Sequence, residues 1–241
     1  MKKGILLLVA SMLVFSFSAM ADVIQIDTVN DGWSNAKDSN DHYRDGSEPG
    51  YSNWITNNTP TGDDVVRWGG GGSFSSYTWA AESTPIYATV GEAFILGTFT
   101  HNNQTIAATY PSLKSVNLDI EIGNFTDPTV ISTQFNFFHN ETPNDGADPR
   151  DIVTISNIFW NEAIKIDGVD YFFSVLGLGK TASTLSLEDM YTYRTDESAK
   201  NETFLWAIIT TDPLLTPEPA SLVLFGTGLG ILGLTAWRRK K

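Results

Sequence analysis

Ser115-Val116-Asn117-Leu118-Asp119-Ile120-Glu121-Ile122 alternates polar and apolar at every step. Successive side chains of a β-strand point to opposite faces, so this octet predicts a strand with one wet face and one buried face. The same rhythm spreads outward in both directions. Ile131, Thr133, Phe135 and Phe137 line one face of a following strand, and Ile152–Phe159 forms another. Upstream, Val65–Trp68, Phe74–Trp79 and Ala93–Thr100 carry strand signals, and Val23, Ile24 and Ile26 suggest a short first strand. Asp167-Gly168 sits between Ile164-Lys165-Ile166 and Val169-Asp170-Tyr171, which predicts a two-residue hairpin of the favoured turn type. Thr203–Thr210 is apolar on both faces and reads as a central strand; Leu185–Tyr193 carries a short helical signal. Many short strands with Gly-rich turns predict an all-β fold, an antiparallel β-sandwich or jelly roll. There is no repeat of fixed period, which argues against a solenoid or propeller.

The segment before this strand-rich region, 22–60, is polar and punctuated by Asp31-Gly32, Asp45-Gly46 and Glu48-Pro49-Gly50, all read as turn signals. Trp33, Tyr43, Tyr51 and Trp54 are spread through it. Capping of a core edge is the first expectation for them, and a stacking surface for sugar rings, with Trp33 or Trp54 exposed, is the alternative.

The chain has no cysteine, so thiolate chemistry and Cys-based zinc sites are excluded, and the fold must hold without disulfides. It carries 15 Lys and Arg against 28 Asp and Glu. Lys2, Lys3, Arg238, Arg239, Lys240 and Lys241 lie in the terminal segments, as does Glu218, leaving 9 basic and 27 acidic residues between 22 and 216, a net charge of −18. Such a surface repels nucleic acid and anionic membranes. It suits solubility, divalent cations or a polysaccharide matrix.

The two ends read as export signals. Lys2-Lys3, the apolar run Ile5–Phe17 and Ala19-Met20-Ala21 form a signal peptide over 1–21, with cleavage by signal peptidase expected before Asp22. At the other end stand Pro217-Glu218-Pro219, an uncharged apolar run Ala220–Trp237 and Arg238-Arg239-Lys240-Lys241. As a helix the 18-residue run would span roughly 27 Å, enough for a bilayer core, with the basic end held in the cytoplasm. The two prolines keep the segment before the helix extended, as a protease needs it.

This tail resembles the PEP-CTERM sorting signal. The resemblance implies an exosortase in the inner membrane of a Gram-negative bacterium that reads Pro217-Glu218-Pro219, cuts near it and passes the protein to the cell surface or the extracellular space. Such systems often accompany exopolysaccharide production, which implies a biofilm setting. A second resemblance lies in the body of the chain. Val66-Arg67-Trp68-Gly69, Phe94 to Ile106 with its His101-Asn102-Asn103, Phe135 to Asn144 with its His139-Asn140-Glu141-Thr142-Pro143-Asn144, and Asp151-Ile152-Val153 resemble the choice-of-anchor K domain. That family implies an exported, surface-attached module and supplies no catalytic residues. The chain thus divides into a signal peptide (1–21), a polar N-terminal part of the β domain (22–62), a choice-of-anchor K-like sandwich (63–212) and a sorting signal (213–241).

Two polar clusters are candidates for chemistry. His101-Asn102-Asn103 is expected in a loop after the strand ending at Thr100, and His139-Asn140-Glu141 in a loop after the strand ending at Phe138. If those strands run the same way, His101, His139 and Glu141 could together hold a metal ion through two imidazoles and a carboxylate. The alternative is that each histidine organises its own turn. Glu141, Asn144, Asp145, Asp148 and Asp151 form a loop rich in hard oxygen donors, which suits Ca²⁺. Asp27, Asp31, Gly32 and Asp38 approach an EF-hand register, but Val29 falls on a ligand position and the final Glu is absent. Gly69–Gly72 lacks the Lys-Ser/Thr of a phosphate loop and is expected to be a flexible turn. No Gly-x-Ser-x-Gly is present.

The reading from sequence is therefore a non-enzymatic, exosortase-sorted surface module with an adhesive or exopolysaccharide-associated role. The alternatives are a metal-dependent polysaccharide hydrolase using His101, His139 and Glu141, and a carbohydrate-binding module.

Overall fold

The computed structural model describes residues 22–44, 54–56, 64–123, 130–143, 146–156, 161–179 and 191–213. The predicted signal peptide, the Pro217–Lys241 tail, Tyr51, the turns at 45–50 and residues 185–190 of the predicted helix lie outside these residues. Among the described residues there is no helix long and apolar enough to cross a membrane.

Every regular element among the described residues is a strand. In chain order they are β1 (Val23–Ile26), β2 (Thr28–Asp38), β3 (Ile55–Thr56), β4 (Asp64–Gly70), β5 (Ser73–Ala81), β6 (Ile86–Thr89) and β7 (Ala93–Asn103). Then follow β8 (Leu113–Gly123), β9 (Val130–Asn140), β10 (Asp151–Ser156), β11 (Asn161–Ile166), β12 (Val169–Gly179), β13 (Thr192–Thr195) and β14 (Ala199–Thr210). A five-stranded sheet has the order β13-β10-β9-β8-β2, a seven-stranded sheet the order β11-β12-β14-β7-β5-β4-β3, and β1 pairs with β6 apart from both. All pairings are antiparallel.

The alternation predicted for β8 is what builds the sandwich. Val116, Leu118, Ile120 and Ile122 are buried, and they pair across the sheet with Phe137, Phe135, Thr133 and Ile131 of β9. The opposing face comes from Trp68, Tyr77, Trp79, Phe99 and Leu205 of the larger sheet. Phe99 and Phe137 meet at the centre, stacked at 5.0 Å between ring centroids. Each such side chain contributes about 1.5–3 kcal/mol through the area it removes from water. With no disulfide, this shared core is what joins the sheets.

The hairpin at Asp167-Gly168 is present, with φ of 51° and 81° at the two turn residues and Ile166 paired to Val169. A side chain at Asp167 tolerates this left-handed backbone because Asp is among the few residues that do. β14 is interior, between β12 and β7, as its two apolar faces require. Gly71 and Gly72, at φ of 66° and 96°, form the turn between β4 and β5.

Two local expectations change, and the capping expected of Trp33 and Trp54 is met. Asp31-Gly32 lies inside β2, paired with Ile120 and Asp119, because the ladder with β8 outweighs the local turn preference. Thr192 and Tyr193, at the end of the predicted helical stretch, are extended in β13, where pairing with β10 decides the conformation. Trp33 and Trp54 are 2% and 5% exposed, so neither offers a stacking surface; both cap the core.

Candidate metal centre

The two histidines of interest are strand residues rather than loop residues. β7 continues three residues past Thr100 and β9 two past Phe138, so His101 and His139 remain in the ladders. The period of two carries them inward. His101 follows Phe99 by two positions, His139 follows Phe137 by two, and both therefore inherit the buried face. Phe99 meets Phe137, and one step on His101 meets His139, with ring centroids 5.3 Å apart. β7 and β9 thus run in the same direction in opposite sheets, and the clusters do converge at one end of the sandwich.

Around this pair the structure gathers residues from four further strands and two connecting segments. Trp68 of β4 stacks on His101 at 5.5 Å and meets His139 edge-on at 5.1 Å. Tyr77 of β5, the ladder partner of His101, packs edge-on against both imidazoles, at 5.0 and 5.7 Å. Asp151, the first residue of β10, points inward with Val153 and Ile155 and is fully buried. Thr195, at the end of β13, is its ladder partner. Glu141 follows β9 directly, and Glu197 lies between β13 and β14.

The hydrogen bonds fix how each ring is held. The Thr195 hydroxyl lies 2.9 Å from His101 Nδ1 and 3.4 Å from the Asp151 carbonyl oxygen. His101 Nε2 is buried with no hydrogen-bond partner. His139 Nδ1 lies 2.7 Å from the Tyr77 hydroxyl, and its Nε2 lies 3.1 Å from Glu141 Oε2 and 3.7 Å from Asp151 Oδ2. Asp151 Oδ1 accepts from the Thr142 amide at 2.9 Å, while its Oδ2 is buried and unpartnered. Asn103 donates to Glu197 at 2.9 Å.

The electrostatics follow from burial. Loss of water, together with the neighbouring His139, holds His101 well below the ordinary imidazole range. Burial pushes Asp151 up to about 6, against the pull of the Thr142 amide and His139 and with the push of Glu141 and Glu197. Burial also raises Glu197, and raises Tyr77 with help from the charges of Asp151 and Glu141. The ligand atoms of His101, His139 and Asp151 lie within 4.8 Å of one another, as do those of Glu141, Asp151 and Glu197.

Of the residues singled out in the sequence, His101, His139, Glu141 and Asp151 come together. Asp148 does not; it faces Arg150 and Arg194 at 2.8 and 3.3 Å, and the Arg150 contact holds it down to about 2. Asn144 and Asp145 lie outside the described residues. Asp38 is fully buried against Arg44 and accepts from the Asn40 and His42 amides, while Asp31 lies within β2, so neither forms part of a calcium loop. The sequence reading missed Tyr77, Trp68, Thr195 and Glu197. The signal available was the Phe-x-His spacing, which occurs twice and marks both imidazoles as core residues with core neighbours.

The outer face of the five-stranded sheet is of a different kind. An open trough of about 600 Å³ crosses β2, β8 and β9 and is lined by Asn30, Ser34, Asp119, Glu121, Ser132 and Gln134. Gln134 donates to Asp119 at 2.6 Å and Asn30 to Glu121 at 3.3 Å. Phe138, two strand steps beyond Gln134 on the same face, is 49% exposed.

Residues 215–240 match the PEP-CTERM protein-sorting motif. No curated protein matches the chain. The motif places the chain among exported proteins whose membrane-anchored precursors are sorted to the cell surface by exosortase.

Proposed function

We propose that the mature domain is a non-enzymatic surface module that holds neutral extracellular polysaccharide on the outer face of its five-stranded sheet. The trough on that face carries the reading. Its amides, hydroxyls and carboxylates stand on three neighbouring strands, at the spacing from which sugar hydroxyls can be bridged in pairs, and Phe138 offers an apolar platform at one end. The acidic surface disfavours anionic polymers. The resemblance of 63–210 to choice-of-anchor K domains supports the same attachment role. The setting is the envelope of a Gram-negative bacterium, reached after signal peptidase and exosortase have acted, with adhesion or biofilm organisation as the outcome.

The hydrolase alternative needs a reactive centre that a polymer can reach. His101 and Asp151 are 0% exposed, which supports the reading without catalysis. The test is binding of the exported chain to immobilised polysaccharides and glycan arrays. Gln134→Ala and Phe138→Ala are each expected to weaken binding about tenfold, the equivalent of ~1.4 kcal/mol. Binding equal to wild type in both variants would discard the trough. Glycan turnover abolished by His139→Ala would replace the proposal with the hydrolase.

A further inference from the structure

We infer that His101, His139, Asp151 and Glu141 form a structural Zn²⁺ site that clips the two sheets together. This is independent of polymer binding on the outer face. Three observations support it. The first is the buried, unpartnered Nε2 of His101, whose other ring nitrogen is held 2.9 Å from the Thr195 hydroxyl. A hydrogen bond on the far nitrogen is the usual device that fixes the tautomer and orientation of a metal-binding histidine. The second is the buried, unpartnered Oδ2 of Asp151, whose other oxygen is held by the Thr142 amide.

The third is the spacing of the donors. Bonds of about 2.0–2.1 Å in a tetrahedron put ligand atoms roughly 3.3 Å apart. His139 Nε2 lies 3.1 Å from Glu141 Oε2 and 3.7 Å from Asp151 Oδ2, so these edges already approach that geometry. His101 offers a ligand atom within 4.8 Å of those of His139 and Asp151, and Glu141 one within 4.8 Å of that of Asp151. His139 needs one proton shift. In the unligated arrangement its Nε2–H donates to Glu141 and its Nδ1 accepts from Tyr77. With Nε2 bound to the ion, Nδ1–H donates to the same hydroxyl, since a phenol can serve either way. Glu197 then stands outside the four ligands, held by Asn103.

Two imidazoles and two carboxylates select Zn²⁺ over Ca²⁺ and Mg²⁺, which prefer all-oxygen shells. Burial of three of the four ligands matches a closed structural site rather than a catalytic one with an open position. The topology gives it a purpose. His101 comes from the seven-stranded sheet, and His139 and Asp151 come from the five-stranded sheet. In a cysteine-free exported domain this ion would do what a disulfide does elsewhere.

The test uses the untagged protein recovered after export, stripped with chelator and then returned to Zn²⁺, Ca²⁺ or Mn²⁺. Metal content after gel filtration should be one Zn²⁺ per chain, with no retained Ca²⁺. The melting temperature should rise by roughly 10 °C at free Zn²⁺ about 1,000-fold above Kd. His101→Phe keeps a ring against Trp68 and should lose the stoichiometric zinc and the thermal shift. Glu141→Gln, at a position 24% exposed and safe for folding, should weaken zinc at least tenfold. His42→Ala, at the exposed histidine, should change nothing. Less than a tenth of an equivalent of zinc with no thermal shift would overturn the inference. So would undiminished affinity in Glu141→Gln, which stays readable if His101→Phe fails to fold.

Discussion

Tyr77→Phe removes a single oxygen from the centre and tests how the two sheets are joined. Tyr77 is fully buried, and its hydroxyl lies 2.7 Å from His139 Nδ1. The ring itself packs on Trp68 and Phe99 at 4.8 Å each and on His101 at 5.0 Å. A phenylalanine keeps all of these contacts, so no cavity opens and the hydrophobic contribution is almost unchanged. What is lost is one buried hydrogen bond, leaving His139 Nδ1 without a partner. That costs about 1–3 kcal/mol, because the nitrogen has no water to turn to. For a domain of this length each kcal/mol is worth about 2–4 °C, so a 2 kcal/mol loss lowers the melting temperature by roughly 4–8 °C. The assay is thermal and urea unfolding in the presence of chelator, which isolates the hydrogen bond from any bound ion. A control comes from the wild type. Burial and the Asp151 and Glu141 charges hold the Tyr77 phenol well above its ordinary value, so one tyrosine should resist ionisation at 295 nm until the protein unfolds. A Tyr77→Phe protein within 0.5 kcal/mol of wild type would refute the bridge between Tyr77 and His139.

Asp38→Ala should cost about 3 kcal/mol, since it leaves the Arg44 charge, itself 4% exposed, without its carboxylate. Burial acts to raise Asp38, but the His42 amide, the Arg44 side chain and the Asn40 amide outweigh it and hold the carboxyl below 3.8. Its contribution is therefore present above pH 3.8 and lost as pH falls through the lower folded value. Urea titrations across that acid range should show this slope in wild type and not in Asp38→Asn. Gly97→Ala should destabilise by about 1–3 kcal/mol. A Cβ there would lie 2.6 Å from Trp79 Cη2 and 2.7 Å from the Ala80 carbonyl oxygen, and Trp79 is fully buried with nowhere to move. Glu218→Ala should leave the precursor in the membrane fraction, read by immunoblot of fractionated cells; release equal to wild type would break the link to the motif.

The sandwich was legible in the sequence because period-two alternation is set by backbone geometry alone. Ser115–Ile122 and Ile131–Phe137 show it without ambiguity, and Asp167-Gly168 specified its hairpin through a backbone that few residues adopt. The site was half legible. His101, His139 and Glu141 could be grouped on the condition that two strands run alike, and the 5.3 Å approach of the two rings meets that condition. Their placement in loops was the error. Polar residues such as His-Asn-Asn look like strand terminators, yet β7 runs through them because β14 and β5 supply ladder partners on both sides. Asp151 was grouped with the wrong companions for a similar reason. Sequence proximity joined it to Asp148, whereas the fold turns Asp148 to two arginines and Asp151 to two histidines. Tyr77 and Thr195 carry no local signal at all; only sheet register brings them to the imidazoles.

The claim on which the rest depends is that this sandwich is delivered by a tail that is read and then removed. Intact-mass measurement of the protein recovered from the outside of producing cells tests it most directly. The account predicts a chain that begins at Asp22 and ends close to Pro217-Glu218-Pro219. Surface material that still ends in Arg238-Arg239-Lys240-Lys241 would contradict it.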